Sequence, residues 1–161
     1  MNGFSGEYES KLDGKGRMIL PARLKAKLPE KTPDVPDVVL VRGFEPCLVV
    51  YTYSVWKEVF EKVAALNEFN EAFRTFQRSF LRGCTELELD PNGRLLLPRL
   101  MRAYAGLEKE VVVVGLGNRM ELWEPTRYEA HLLQDASALS QAAEAILGDK
   151  REEFIIKVNH N

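Results

Sequence analysis

Polar and apolar positions alternate with a period of two in two matching stretches. In residues 7–12, Tyr8, Ser10 and Leu12 share one face, and in residues 85–89 Thr85, Leu87 and Leu89 do the same. This pattern predicts strands with one buried face. After each comes a polar bend, then an apolar triplet, Met18-Ile19-Leu20 or Leu95-Leu96-Leu97, ended by Pro21 or Pro98. Residues 39–41 and 111–114 predict a second strand pair. Residues 48–51 and 120–123, each reached through a Gly-containing bend, predict a third. The period then becomes helical. Val55, Val59, Phe60 and Val63 begin one helix, which breaks or kinks near residues 67–70. Phe69, Phe73, Phe76 and Phe80 then stack on one face. Tyr128, Leu132, Leu139, Ala143 and Ile146 mark a second helix, stopped at Gly148. Ser54 and Thr126 are the expected N-caps, with Glu129 completing a capping box at Thr126. Short helices are expected at 22–28 and 99–105. The run 154–156 fits either a strand or a docked tail.

The duplication behind this pattern is explicit at the bends. Asp13-Gly-Lys-Gly-Arg17 and the triplet and proline after it return 77 positions later as Asp90-Pro-Asn-Gly-Arg94 with its own triplet and proline. Downstream the offset becomes 72, as between Tyr51 and Trp123. The difference falls in the Pro-rich stretch 29–37, which predicts an enlarged surface loop. Internal repeats of this kind govern how the rest of a chain is read.

Each bend has a chemical logic. Gly16 and Gly93 allow the positive φ that tight hairpins need. Asp13 and Asp90 are placed to accept bonds from backbone amides just ahead. Arg17 and Arg94 then sit at the hairpin base on a rigid strand, with Lys15 and Asn92 at the tips. Arginine suits bidentate contact with guanine O6 and N7 or with phosphate. The residues alone leave two readings open: Asp–Arg pairs that serve folding only, or guanidinium groups held outward for recognition.

Composition changes the picture modestly. The chain has 161 residues, 45% hydrophobic, with a net charge of −2. Charge is unevenly spread: residues 1–33 carry seven Lys/Arg against four Asp/Glu, residues 71–102 six against four, and residues 128–161 three against six. Both motif-bearing segments are therefore basic, which suits phosphate binding despite the overall sign. No apolar run approaches the roughly 20 residues of a membrane span, and no secretory signal pattern opens the chain. A cytoplasmic location is expected, with Cys47 and Cys84 reduced and inert. His131 and His160 lack partners at metal-ligand spacing, so no metal is expected. Gly115-Leu-Gly117 has Met120 where a dinucleotide fingerprint needs glycine, and neither a P-loop nor a nucleophile elbow is present. No catalytic residues, cofactor or small-molecule substrate are expected. Arg74, Arg78 and Arg82 form a basic row that reads as a solvated helix face. Tyr51, Trp56, Trp123 and Tyr128 read as core anchors, and the four phenylalanines as core or subunit packing.

The paired Asp-x-x-Gly-Arg motifs resemble AbrB-type swapped-hairpin units. Together with Phe4-Ser-Gly6, residues 46–51 and residues 113–123, they resemble the MraZ family of bacterial transcriptional regulators over residues 4–147. The resemblance implies an α+β fold: two tandem AbrB-like swapped-hairpin β units packed as a pseudo-twofold β-barrel with flanking helices. The units would span 4–53 and 83–125, with a helical connection at 54–82, a C-terminal helix at 126–148 and a tail at 149–161. It also implies assembly into a ring of protomers, and binding to repeated elements in the promoter of the division and cell-wall gene cluster. The motif residues carried over are Asp13, Lys15, Gly16 and Arg17, and Asp90, Gly93 and Arg94. Pro91-Asn92 departs from the pattern, since it offers no lysine to match Lys15.

In the expected mechanism, Arg17 and Lys15, with Arg94 and Asn92, meet the major groove of double-stranded DNA, while Lys11, Arg23 and Arg99 neutralise phosphates. Nucleoid association follows from that role. The alternative of another class is an oligomeric protein-binding scaffold or antitoxin-like module, whose basic hairpins meet an acidic protein.

Overall fold

Pairing between repeats, rather than within them, builds the sheet. A computed structural model of the chain describes residues 3–148. The first repeat holds β1 (Phe4–Lys11), β2 (Arg17–Ile19), α1 (Ala22–Lys25), β3 (Val38–Arg42), β4 (Leu48–Thr52), α2 (Tyr53–Ala64) and α3 (Glu71–Leu81). The second holds β5 (Thr85–Leu87), β6 (Arg94–Leu96), α4 (Arg99–Ala105), β7 (Glu110–Gly117), β8 (Arg119–Trp123) and α5 (Pro125–Ala130); α6 (Ala136–Ala143) follows. Six strands form an antiparallel sheet in the order β1-β7-β8-β4-β3-β5, and β2 pairs with β6 in a separate ribbon.

The strand order divides between β8 and β4 into two matching halves, as a pseudo-twofold requires. Each repeat lends its first strand to the other: β1 lies on β7, from Phe4 opposite Gly117 to Lys11 opposite Glu110, and β5 lies on β3. Leu48 opposite Leu122 and Val50 opposite Met120 join the halves. The swapped pairing matches the expectation; barrel closure is not seen. The sheet is open, with β1 and β5 as its edges. β5 has three residues against eight in β1. Beyond it the chain leaves the ladder, and Leu89 N donates to Asp37 Oδ2 instead.

Packing explains the unbroken apolar runs. Val38 and Leu40 face a core shared with Met18, Leu20, Leu24, Leu95, Leu97 and Met101, contributed by the ribbon and α1 and α4. Val39 and Val41 face the opposite way, onto Trp56, Val63 and Phe80 of α2 and α3. A strand covered on both faces needs no alternation. On β7, Val111 and Val113 join the first core while Val112 packs with Cys47, Trp123 and Tyr128.

The helices correct the expected caps. Thr52, not Ser54, caps α2, its side chain accepting from Val55 N. Glu124, not Thr126, caps α5, accepting from Thr126 N and Arg127 N at 3.0 and 2.9 Å. Those amides hold the Glu124 carboxyl below its ordinary value. The caps are still 72 apart, but β4 and β8 run straight into their helices, so the first unpaired amides come earlier. The break near residues 67–70 is present, and Asn70 caps α3 through Phe73 N. The helix expected over 126–148 is interrupted: α5 ends at Ala130, Asp135 caps α6 through Ala138 N, and a π-helical turn covers Glu144–Gly148. The apolar stripe continues across the gap in sequence and so conceals it. Residues up to Tyr128 form one compact unit and those from Glu129 a second. The run 154–156 lies outside the described residues.

Candidate nucleic-acid interface

The two bends are built alike. Asp13 Oδ1 accepts from Lys15 N and Arg17 N, both at 2.9 Å, and its Oδ2 accepts from Arg17 Nε at 2.7 Å. Asp90 repeats this with Asn92 N and Arg94 N at 2.9 Å and Arg94 Nε at 2.7 Å. Gly16 and Gly93 take φ of 81° and 76° and close the turns onto Asp13 O and Asp90 O. The bends are also stitched together: Leu20 N donates to Gly93 O and Leu97 N to Gly16 O. Arg94 Nη1 lies 4.0 Å from Asp13 Oδ2.

Backbone amides, above all that of Arg17, hold the Asp13 carboxyl down to about 2. Asp90 is lowered in the same way, first by the amide of Arg94. Each carboxylate therefore stays charged and orients its arginine through Nε, which leaves the Nη end of the fork for other acceptors. The Arg17 and Arg94 side chains are 31% and 25% exposed. They are neither sealed in nor loose. The Asp–Arg pairing read as one possibility in the sequence is thus formed, and it leaves both arginines accessible.

Both arginines stand on the outer face of the β2–β6 ribbon. Arg17 is opposite Leu96 and Arg94 opposite Ile19, while Met18 and Leu95 between them point inward and are fully buried. Lys15 and Asn92 are exposed at the turn tips. Arg23 and Arg99 are exposed on α1 and α4. Lys11 faces Glu110 across the ladder at 4.0 Å, a surface pair worth little.

Two basic residues at the bends escaped the sequence reading. The Arg102 guanidinium carbon lies 2.9 Å from where a side chain on Gly16 would begin, and Lys25 Nζ lies 3.2 Å from the corresponding point at Gly93. Each crosses from its own repeat to the other's bend. Lys25 and Arg102 are 77 apart, the offset of the motif itself, whereas Arg23 and Arg99 are not repeat equivalents. That offset was the available signal. Lys15, Arg17, Lys25, Arg94 and Arg102 outnumber Asp13 and Asp90 around the ribbon, so the local field is positive. Among the described residues no three His, Cys, Asp or Glu side chains are grouped to hold a metal ion.

A family model described as "MraZ protein, putative antitoxin-like" matches residues 4–79 and again 80–150, one match per repeat. The chain belongs to the MraZ family. A "Transcriptional regulator MraZ" of Cytophaga hutchinsonii is 51% identical over 153 residues, covering 95% of this chain and 100% of that protein. Proteins of the same name from Halothermothrix orenii and Desulfitobacterium hafniense are 38% and 40% identical, each over 89% of this chain and 96% of their own length. Membership of the MraZ family makes the chain a transcriptional regulator and not an enzyme. Among its described residues, no helix is long and apolar enough to cross a membrane.

Proposed function

We propose that this chain binds double-stranded promoter DNA through the β2–β6 ribbon. One observation carries the reading: two arginines, each oriented by its own ionised aspartate, share the outer face of a two-stranded ribbon ringed by further cations. A ribbon of this kind fits the major groove, where arginine forks read guanine. Arg17 and Arg94 are the base-reading residues, with Lys15 and Asn92 reaching from the tips. Arg23, Arg99, Lys25 and Arg102 neutralise phosphates. Lys11 contributes least, being paired to Glu110.

The proposed target is the one the family resemblance implies, repeated elements upstream of the division and cell-wall gene cluster, which goes with a cytoplasmic, nucleoid-associated location. The proposed assembly, a ring of protomers, is likewise what the resemblance implies. Exposed aromatic surface supports assembly: Phe44 and Phe69 are 79% and 86% exposed, Phe69 standing just before α3 rather than on it, and Phe73 and Phe76 of α3 are also exposed. Several ribbons on one oligomer raise avidity without new contacts.

The test is equilibrium binding to a duplex from the chain's own upstream region across a salt series. Log affinity is expected to fall linearly with log salt, with a slope near −0.9 per phosphate neutralised. Absence of binding to that duplex at any salt would favour the scaffold or antitoxin-like role instead.

A further inference from the structure

The outer face of the ribbon is half apolar. Strand alternation that buries Met18 and Leu95 turns Ile19 and Leu96 outward, 58% and 55% exposed. They are the middle members of the two apolar triplets, so the triplets are not uniform core. Leu96 is opposite Arg17 and Ile19 opposite Arg94. Directly opposed side chains in such a ladder start about 5 Å apart. Two residues of similar character therefore recur at the two repeat-equivalent positions, each beside an arginine already oriented by its aspartate.

An exposed aliphatic pair on a positive surface needs an occupant that is anionic outside and apolar at the point of contact. Folding does not require Ile19 and Leu96 there, since the ribbon is anchored from its other face. An acidic protein surface would satisfy the cations and leave the aliphatic groups against carboxylates. The major groove satisfies both: phosphates line its rims, guanine presents O6 and N7, and thymine presents its C5-methyl group. We infer that Ile19 and Leu96 are specificity-determining residues that read thymine methyl groups beside the guanines met by Arg94 and Arg17. This rests on the DNA-binding reading above and deepens it. Each arginine–aliphatic pair then selects a guanine and a nearby thymine, and the local twofold between Met18 and Leu95 presents the two pairs in inverted order.

The experiment compares one duplex from the chain's own upstream region in two forms, with thymine and with every thymine replaced by deoxyuridine. The two differ only in C5-methyl groups. Full-length wild-type protein is measured beside Ile19→Ser and Leu96→Ser, all by fluorescence anisotropy, with oligomeric state followed by light scattering. Both positions are exposed, so the variants keep the buried core. Wild type should bind the thymine duplex about fourfold more tightly per methyl contacted, which is about 0.8 kcal/mol for a methyl-sized group at 1.4 kcal/mol per tenfold. Each variant should lose that amount on the thymine duplex and show a reduced difference between the duplexes. Equal wild-type affinity for the two duplexes overturns the inference and leaves the DNA-binding reading intact. So does a variant that keeps the full thymine preference, or one that loses its oligomeric state instead. Absence of wild-type binding to either duplex overturns the DNA-binding reading itself.

Discussion

A carboxylate that accepts two backbone amides and a guanidinium loses much if protonated, and Asp13 is in that position. Its folded carboxyl titrates near 2, against 3.8 ordinarily. The sign follows from linkage: the folded state binds its proton less readily than the unfolded state. The stabilisation from Asp13 is therefore complete above about pH 4, on the ordinary carboxylate scale, and is lost as pH falls through the folded value. Carbon-detected NMR should show the Asp13 side-chain carboxyl still ionised at pH 3. A midpoint near 3.8 would mean that the bend does not hold Arg17 as described. At the same scale, Arg17 and Arg94 behave as oriented donors, because each is anchored through Nε. A lysine in either place would keep the charge and lose the planar fork.

Among the elements, the swapped strands are the joint on which the arrangement depends. Gly115 lies opposite Gly6 in the β1–β7 ladder. A side chain there would run into the backbone of Ser5 and, at 2.7 Å, into Phe4 C. Backbone cannot move aside as a flexible side chain can. Gly115→Ala should therefore cost about 1–3 kcal/mol, the usual range for overpacking. Denaturant unfolding measures this, and an unchanged midpoint would place β1 elsewhere. Much at this scale was legible in the sequence. The period-two strands, the apolar runs, the break near Asn70 and the paired bends all follow from local pattern. Swapping was implied by the family resemblance alone, because strand partners far apart in sequence leave no local trace. The C-terminal break was hidden because Leu132 and Leu139 keep the helical stripe across the interruption before Asp135. The caps shifted by two residues because Thr52, the last residue of β4, and Glu124, the residue directly after β8, open their helices at once. Lys25 and Arg102 were legible in principle, from the repeat offset. That they cross to the opposite bends was not.

For the whole molecule, gene duplication has an electrical consequence. The net charge is −2, yet the ribbon gathers basic residues from both repeats around two aspartates. A positive site on a slightly acidic protein favours anions locally while the overall charge limits nonspecific attraction at a distance. The second bend carries Asn92 where the first has Lys15, so the two ends of the ribbon are unequal in charge. Binding of upstream-region DNA by full-length Arg17→Ala, Arg94→Ala and the double variant, each shown to keep its sheet content and oligomeric state, measures directly what the two arginines do. Each single change should weaken binding by about 1–3 kcal/mol per contact made, and the double variant should lose more than either. A folded double variant that binds that DNA as tightly as wild type would show that the ribbon's arginines do not hold it.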